Sequence, residues 1–115
     1  MQDIIELRNI DQWEKLRNNL TEKEELVIFK FSPVCSISAM VEEDFSSWRS
    51  NLEDNSNLKI AKVNVIDKRE VSLKIAADLQ VLHQSPQVIW IDGNSKIKWT
   101  ASHFDISKDS LKAHQ

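Results

Sequence analysis

The sequence predicts an α/β fold in which a central mixed sheet is flanked by helices on both faces. Short apolar runs alternate with longer segments whose apolar residues recur at helical spacing, which is the order expected when helices connect parallel strands. The last two runs are joined only by a turn containing Asp92-Gly93, a strong signal for an antiparallel hairpin. A length of 115 residues and a hydrophobic content of 41% fit a single domain over residues 1–115.

In the first half of the chain, two predicted strands are each followed by a helix. Residues 4–7 and 26–31 are predicted strands because they are short, apolar and bounded by polar segments. Between them, residues 11–20 repeat apolar side chains at helical spacing, with Asn9 or Asp11 as the cap. A second helical period follows the only cysteine. Its predicted apolar face contains Ile37, Met40, Val41, Phe45, Trp48 and Leu52.

The second half repeats this order once and then ends in a hairpin and a short helix. Its predicted strands, which are rich in β-branched side chains, are residues 58–66, 87–92 and 95–102. Its predicted helices are residues 68–79, with Asp67 as the cap, and a terminal segment that Ser107 caps. The resulting order is two β-α-β crossovers followed by an antiparallel pair, with helices available for both faces of the sheet.

Composition argues against several classes of function. The net charge is −3 with both signs interspersed, so the sequence predicts no nucleic-acid partner and no anionic membrane surface as partner. The N-terminus lacks the basic and apolar regions of a signal peptide, and no apolar run approaches the roughly 20 residues that cross a bilayer. A single cysteine cannot form a disulfide within the chain. We therefore expect a cytoplasmic protein, and a monomer.

The cysteine occupies the position with the clearest chemical meaning. Cys35 ends the turn Ser32–Cys35, between a predicted strand and the start of a predicted helix. A lone cysteine is most often a buried, inert residue. At a helix N-terminus, however, unpaired backbone N–H groups and the helix dipole stabilise a thiolate, which is the reactive form. The sequence therefore favours a reactive thiol here.

Ser38 follows the cysteine at the spacing of a C-x-x-C motif, but it replaces the second thiol of that motif. Its hydroxyl can donate a hydrogen bond to the Cys35 thiolate across one helical turn. It cannot complete a disulfide. A reaction at Cys35 therefore stops at a mixed disulfide until an external thiol arrives. An ordinary residue of the first helical turn is the alternative interpretation of Ser38.

Two histidines fall near predicted strand ends on the same edge of the sheet as the cysteine. Either His83 or His103, as an imidazolium, could stabilise a thiolate or contact the carboxylate of a thiol ligand. A surface or structurally bonded histidine is an equally open interpretation, and it is the one adopted for His114. No metal site is predicted, because one cysteine and two histidines show no usual ligand spacing. A Cys-His hydrolase ranks low, because no oxyanion arrangement is recognisable.

The order of elements, with a cysteine after the second strand, resembles the thioredoxin superfamily over essentially the full length. More narrowly, the chain resembles the bacillithiol-system redox proteins of YtxJ type, the monothiol bacilliredoxins. That family carries T-C-P-I-S, H-x-S-P-Q and A-S-H-W-D-I-T-like segments. The corresponding residues here are Val34–Ser38 (V-C-S-I-S), His83–Gln87 (H-Q-S-P-Q) and Ala101–Ser107 (A-S-H-F-D-I-S). Ser36 departs from the family by replacing its proline.

The resemblance implies a site and an activity. Cys35 and Ser38 would be catalytic, and Ser85-Pro86 would form a cis-proline bend that offers backbone groups to a bound peptide. The implied substrate-binding residues are Pro33, Val34, Ser36, His83, Ser85, Pro86 and His103. Phe29 stands where dithiol thioredoxins have a buried acid that serves their second thiol, which fits a one-cysteine mechanism.

The implied enzyme is a monothiol thiol–disulfide oxidoreductase that removes a low-molecular-weight thiol from S-thiolated cytosolic proteins. By resemblance, that thiol is bacillithiol, which acts as a co-substrate, and no cofactor is bound. Two other readings remain open. One is a non-catalytic thioredoxin-like module that binds partners in the cis-proline groove. The other is a redox sensor in which modification of Cys35 changes partner binding.

Overall fold

The computed structural model describes residues 3–53 and 57–115, and over these residues it confirms the predicted α/β architecture. The strands are β1 (Ile4–Glu6), β2 (Glu25–Phe31), β3 (Leu58–Asn64), β4 (Gln87–Asp92) and β5 (Ile97–Ser102). The helices are α1 (Ile10–Asn18), α2 (Ser36–Ser50), α3 (Arg69–Leu79) and α4 (Lys108–His114), with a 3-10 turn at His103–Asp105 before α4. The strands form one sheet in the order β1-β3-β2-β4-β5. β1, β3 and β2 are parallel, whereas β4 and β5 are antiparallel to their neighbours.

The sheet has a hydrophobic core on each face, which explains why its central strand is almost continuously apolar. Alternate residues of β2 point to opposite faces. Leu26 and Ile28 pack with residues of α1 and α3, including Trp13 and Ile75. Val27 and Phe29 pack on the other face with α2 and α4. The first helix begins where one of the two predicted caps stands, since the Asn9 side chain accepts a hydrogen bond from the backbone N–H of Gln12.

The buried stripe of α2 differs from the predicted one at its start. The buried residues are Ser38, Val41, Phe45 and Trp48, at spacings of three and four. Met40 was predicted to be part of the apolar face, but 60% of it is exposed because the stripe passes through Ser38 in the first turn. A polar residue thus occupies the place that the hydrophobic pattern assigned to an apolar one.

The end of β3 and the start of α3 also differ from the prediction. β3 ends at Asn64, because the Asn64 side chain accepts hydrogen bonds from the N–H groups of Ile66 and Asp67 and bends the chain into a turn. Ile66, predicted to end the strand, is 55% exposed. The prediction that Asp67 caps α3 is wrong. Lys68 stands at the N-cap, and no side chain forms a capping hydrogen bond there.

Candidate active site

Cys35 is the N-cap residue of α2, where β2 and the following turn lead into the helix. The thiol side chain is half-buried, so it is not enclosed in either core. Hydrogen bonding from the backbone N–H of Ser38 is the largest influence that lowers the pKa of the Cys35 thiol, and the N–H of Ile37 adds to it, against a smaller opposing effect of burial. The strand-to-helix junction thus stabilises the thiolate, as expected for an anion at a helix N-terminus.

Ser38 connects the two ends of the turn that carries the cysteine. It is 1% exposed, and its Oγ accepts a hydrogen bond from the backbone N–H of Ser32 at 3.1 Å. Its hydroxyl also lowers the pKa of the Cys35 thiol, by less than the backbone groups do. A hydroxyl can accept and donate at once, so Ser38 fixes the turn while it donates to the thiolate.

The strand register brings the three sequence motifs to one edge of the sheet. Lys30, near the end of β2, pairs with Gln87 at the start of β4, and Gln87 pairs with Ser102 at the end of β5. The turn carrying the cysteine, the bend before β4 and the segment after β5 must therefore leave the sheet at the same edge. The backbone N–H of His103 also donates to the carbonyl oxygen of Pro86 at 3.0 Å, which joins two of the three motifs directly.

The bend before β4 has the geometry that the resemblance implied, since the Ser85–Pro86 peptide bond is cis. Pro86 is buried, whereas Ser85 is half-buried. Within the described residues, the buried Oγ atom of Ser85 has no hydrogen-bond partner. Around the cysteine, Pro33 and Val34 on the turn and Ser36, the first residue of α2, are solvent-exposed.

The two histidines near this edge have different surroundings. His103 is exposed and has a φ of 54°, in the left-handed region that few non-glycine residues adopt. His83 is half-buried, and its Nδ1 atom lies 3.3 Å from the Lys30 Nζ atom and 3.3 Å from the Ser72 Oγ atom. Burial lowers the pKa of His83, and the positive charges of Lys30 and Arg69 lower it further. These surroundings favour a neutral His83 ring over the imidazolium considered from the sequence.

Lys30 is the residue near the site that the sequence reasoning missed. It is fully buried, and its Nζ atom donates to the carbonyl oxygen of Ser72 at 2.9 Å. Burial lowers the pKa of Lys30 to about 8. The signal was available, because Lys30 interrupts an otherwise apolar strand. A second lysine that interrupts an apolar strand, Lys62 in β3, is partly exposed. Its Nζ atom lies 3.9 Å from Glu6 Oε1 and 5.2 Å from the centre of the Phe31 ring.

With this geometry established, comparison with known proteins identifies the family. Residues 5–111 match the family model described as monothiol bacilliredoxin BrxC. The chain belongs to the monothiol bacilliredoxin family. Both the family and the fold support a thiol redox role for this bacilliredoxin.

Solved structures agree on the fold. One protein described as having a thioredoxin fold superimposes with a TM-score of 0.80 at 27% identity, covering 96% of this chain and 92% of that one. Thioredoxin from Fasciola hepatica has a TM-score of 0.70 at 19% identity, covering 95% and 93%. A thioredoxin from Nicotiana alata has a TM-score of 0.74 at 15% identity, covering 97% and 89%. At identities below 20%, the two thioredoxins show a shared fold alone.

Phe29, which by resemblance stands where dithiol thioredoxins carry a buried acid, makes apolar contacts in the core. It is 1% exposed, and its ring stacks on that of Phe45 with the centroids 4.5 Å apart. The third histidine, His114, stacks on Trp99 at 4.2 Å, and its Nδ1 atom lies 2.8 Å from the Ser110 carbonyl oxygen. His114 therefore has a structural role in packing α4.

Two searches of the described residues were negative. Over residues 3–53 and 57–115, no three side chains among histidine, cysteine, aspartate and glutamate are arranged to hold a metal ion. In the same part of the chain, none of the helices has the length and apolar character that crossing a membrane requires.

Proposed function

We propose that this protein is a monothiol thiol–disulfide oxidoreductase that removes a low-molecular-weight thiol from S-thiolated proteins. The observation that carries the proposal is the half-exposed Cys35 thiol at the start of α2, with its thiolate stabilised by backbone N–H groups, in a chain that has no second cysteine. By resemblance to bacilliredoxins, the small thiol is bacillithiol. It serves as co-substrate, no cofactor is bound, and the protein acts as a monomer on cytoplasmic proteins.

The reaction proceeds by two thiol–disulfide exchanges. In the first, the Cys35 thiolate attacks the sulfur of the small thiol within the mixed disulfide on the target protein. A new S–S bond forms between Cys35 and the small thiol, and the target protein leaves as a thiolate that takes up a proton. In the second, the thiolate of another small thiol attacks the small-thiol sulfur on Cys35. Cys35 leaves as a thiolate, and the two small thiols depart as their disulfide.

The residues around Cys35 have distinct roles in this scheme. Ser38 holds the turn and donates to the thiolate, but it cannot resolve the mixed disulfide, so the second exchange needs an external thiol. The exposed residues on either side of Cys35, which are Pro33, Val34 and Ser36, are available to contact the substrate. The backbone of Ser85, at the cis Ser85–Pro86 bend, pairs with an extended segment of the target protein.

A defined substrate tests the proposal. A reporter protein carrying bacillithiol on one cysteine is incubated with this protein and free bacillithiol, and release of the reporter thiol is followed with time. We expect repeated turnover with the wild type and no release above the uncatalysed rate with Cys35→Ser. Ser46→Ala, a change in α2 about two helical turns beyond the site, is the matched control and should retain activity.

Three outcomes would contradict the proposal. Turnover by Cys35→Ser would remove the thiol from the mechanism. A single stoichiometric adduct on Cys35 without further release, seen by mass spectrometry, would indicate a redox sensor. Binding of the reporter without any exchange would indicate a non-catalytic module.

A further inference from the structure

A positively charged side chain is buried behind the edge of the sheet where the three motifs meet. Lys30 is fully buried between β2 and α3, and its Nζ atom contacts the Ser72 carbonyl oxygen at 2.9 Å and His83 Nδ1 at 3.3 Å. Within the described part of the chain, no carboxylate forms an ion pair with it. Burying an ammonium without an ion partner is costly, so its retention in the core calls for a reason.

Over residues 3–53 and 57–115, the groups in contact or in register with Lys30 are neutral, and the nearest charge that also acts on its histidine partner is positive. Helix α3 contributes the Ser72 carbonyl oxygen and the charge of Arg69, which acts on the same histidine. The segment before β4 contributes His83. The adjacent strands place Val63 and Gln87 beside Lys30 in register, and neither is ionisable.

This arrangement favours one of the two neutral tautomers of His83. A lysine ammonium has three N–H donors and no acceptor. A hydrogen bond from the ammonium across the 3.3 Å contact with His83 Nδ1 therefore requires Nδ1 to accept. The Ser72 hydroxyl, also 3.3 Å away, can donate to the same atom. A neutral ring whose Nδ1 accepts carries its proton on Nε2.

A further hydrogen bond holds the segment that leads to the cis bend. The Gln87 side chain donates to the Leu82 carbonyl oxygen at 3.0 Å, next to His83. Nδ1 faces inward toward Lys30 and Ser72, and the ring is half-buried rather than enclosed. Over residues 3–53 and 57–115, Nε2 makes no hydrogen bond, so its N–H is available two residues before Ser85.

We propose that Lys30 is a positioning residue: its buried ammonium holds His83 in the Nε2–H tautomer, so that the ring offers a neutral N–H donor to the thiol substrate at this edge. This inference rests on the proposed function, because the group that receives the hydrogen bond is an oxygen or sulfur acceptor of the bound mixed disulfide. His83 then contributes by orientation, and it supplies neither a positive charge nor a transferable second proton.

We call this control of the His83 tautomer by Lys30 the Lys30–His83 lock. It depends on the positive charge of Lys30, so it acts over a defined pH range. With a pKa of about 8, Lys30 is mainly charged at pH 7, and Nδ1 must accept. As the pH rises through about 8, the amine becomes neutral and gains a lone pair that can itself accept a hydrogen bond. The preference for the Nε2–H tautomer therefore weakens above that pH.

Long-range 1H–15N NMR correlation of the histidine rings tests the lock directly. The His83 signals are assigned by their loss in His83→Asn. We expect the Nε2–H tautomer in the wild type at neutral pH, with ring shifts that change around pH 8 as Lys30 titrates. In Lys30→Met, both tautomers should be populated, whereas Lys59→Met, in β3, is the matched control and should leave the ring unchanged.

A wild-type ring that is Nδ1–H or imidazolium at neutral pH would overturn the proposal. So would a tautomer population in folded Lys30→Met identical to that of the wild type. If Lys30→Met fails to fold, the pH titration of the wild-type ring decides the question by itself, since a lock without Lys30 would show no change around pH 8.

The kinetic consequence is measured with the bacillithiol-carrying reporter. We expect Lys30→Met to lower kcat/KM about fivefold to tenfold at neutral pH, the size of one lost or misdirected hydrogen bond. The ratio of wild-type to Lys30→Met activity should fall toward unity above pH 8, because the wild type then loses the same lock. His83→Gln, whose amide reaches the Nε2 position, should retain more activity than His83→Asn.

An activity ratio that stays constant with pH would indicate a merely structural role for Lys30 and would overturn the proposal. The proposed function can fail separately from this inference. If the wild type does not remove the small thiol at all, the proposed function is wrong. The NMR spectrum of the His83 ring does not depend on turnover, so it still decides whether Lys30 sets the tautomer.

Discussion

At the scale of single residues, Cys35 and Lys30 show how opposite surroundings lower a pKa in two groups of opposite charge. The Cys35 thiolate is stabilised by N–H donors at the start of α2, so its pKa falls because the charged form is favoured. The Lys30 ammonium is removed from water without an ion partner, so its pKa falls because the charged form is disfavoured. The first effect produces a nucleophile, and the second reduces the stability of the fold.

Ser38→Ala should separate the catalytic and structural roles of that hydroxyl. We expect the pKa of the Cys35 thiol to rise only slightly, because the backbone N–H groups of Ser38 and Ile37, which lower it more than the hydroxyl does, remain in place. Loss of the hydrogen bond to the Ser32 N–H should cost about 1 kcal/mol of unfolding free energy. The pH dependence of alkylation by iodoacetamide and urea unfolding measure the two quantities.

Ser46→Ala is again the control: it should leave the pKa of the Cys35 thiol unchanged and alter the free energy of unfolding by less than about 0.5 kcal/mol. If Ser38→Ala returned the pKa of the Cys35 thiol to that of an ordinary cysteine, the hydroxyl, and not the helix backbone, would be the main source of thiolate stability.

At the scale of elements, the β4–β5 hairpin uses its glycine for a reason other than the expected one. Asp-Gly predicts a turn in which glycine adopts a positive φ. In the structure Gly93 has no positive φ, and Ser95 adopts 64° instead. A Cβ atom on Gly93 would collide with the backbone carbonyl oxygen of Thr21, in the segment between α1 and β2. The glycine therefore allows the β4–β5 turn to approach the segment between α1 and β2 closely.

Gly93→Ala should destabilise the protein by about 1 to 3 kcal/mol, because the Thr21 backbone must move. The sign is informative, since Gly→Ala at an unstrained, open position usually stabilises by about 0.4 to 1 kcal/mol. Urea unfolding measures the change. Asn94→Ala, at the exposed neighbouring position, is the control and should be close to neutral. A stabilised Gly93→Ala would contradict the close contact.

At the scale of the whole molecule, Lys30 links the stability of the fold to pH. The folded pKa of Lys30 lies below its value in an unfolded chain, so between about 8 and 10.5 the unfolded state binds more protons than the folded state. Stability therefore rises with pH in this range. Cys35 acts in the same direction at lower pH, because its folded pKa is also lowered and the unfolded thiol retains its proton longer.

Lys30→Met should isolate the lysine contribution to stability. We expect the variant to be more stable than the wild type at neutral pH, by up to about 3 kcal/mol, because a shift of 2.5 pKa units corresponds to roughly that free energy. The difference should shrink as the pH rises from 8 toward 10.5. Urea unfolding over this pH range measures it, with Lys59→Met as control. A Lys30→Met protein less stable than the wild type at every pH would contradict the buried-charge explanation.

The sequence by itself determined those features that depend on neighbouring residues. The periodicity of apolar residues predicted β4 at Gln87–Asp92 with the bounds that the structure has, and placed Cys35 between β2 and α2. Asn9, one of two predicted caps, is the cap of α1. Such features follow from local pattern, because a helix cap or a strand alternation is set within a few residues.

Tertiary structure alone decided the features that join distant parts of the chain. Lys30 and His83 are separated by 53 positions, and only the pairing of β2 with β4 brings them together. Met40 is exposed, although its spacing fits the apolar stripe, because the sheet receives the face that contains Ser38. Which face of a helix meets the sheet, and which side chains meet behind it, depends on long-range packing that no local pattern records.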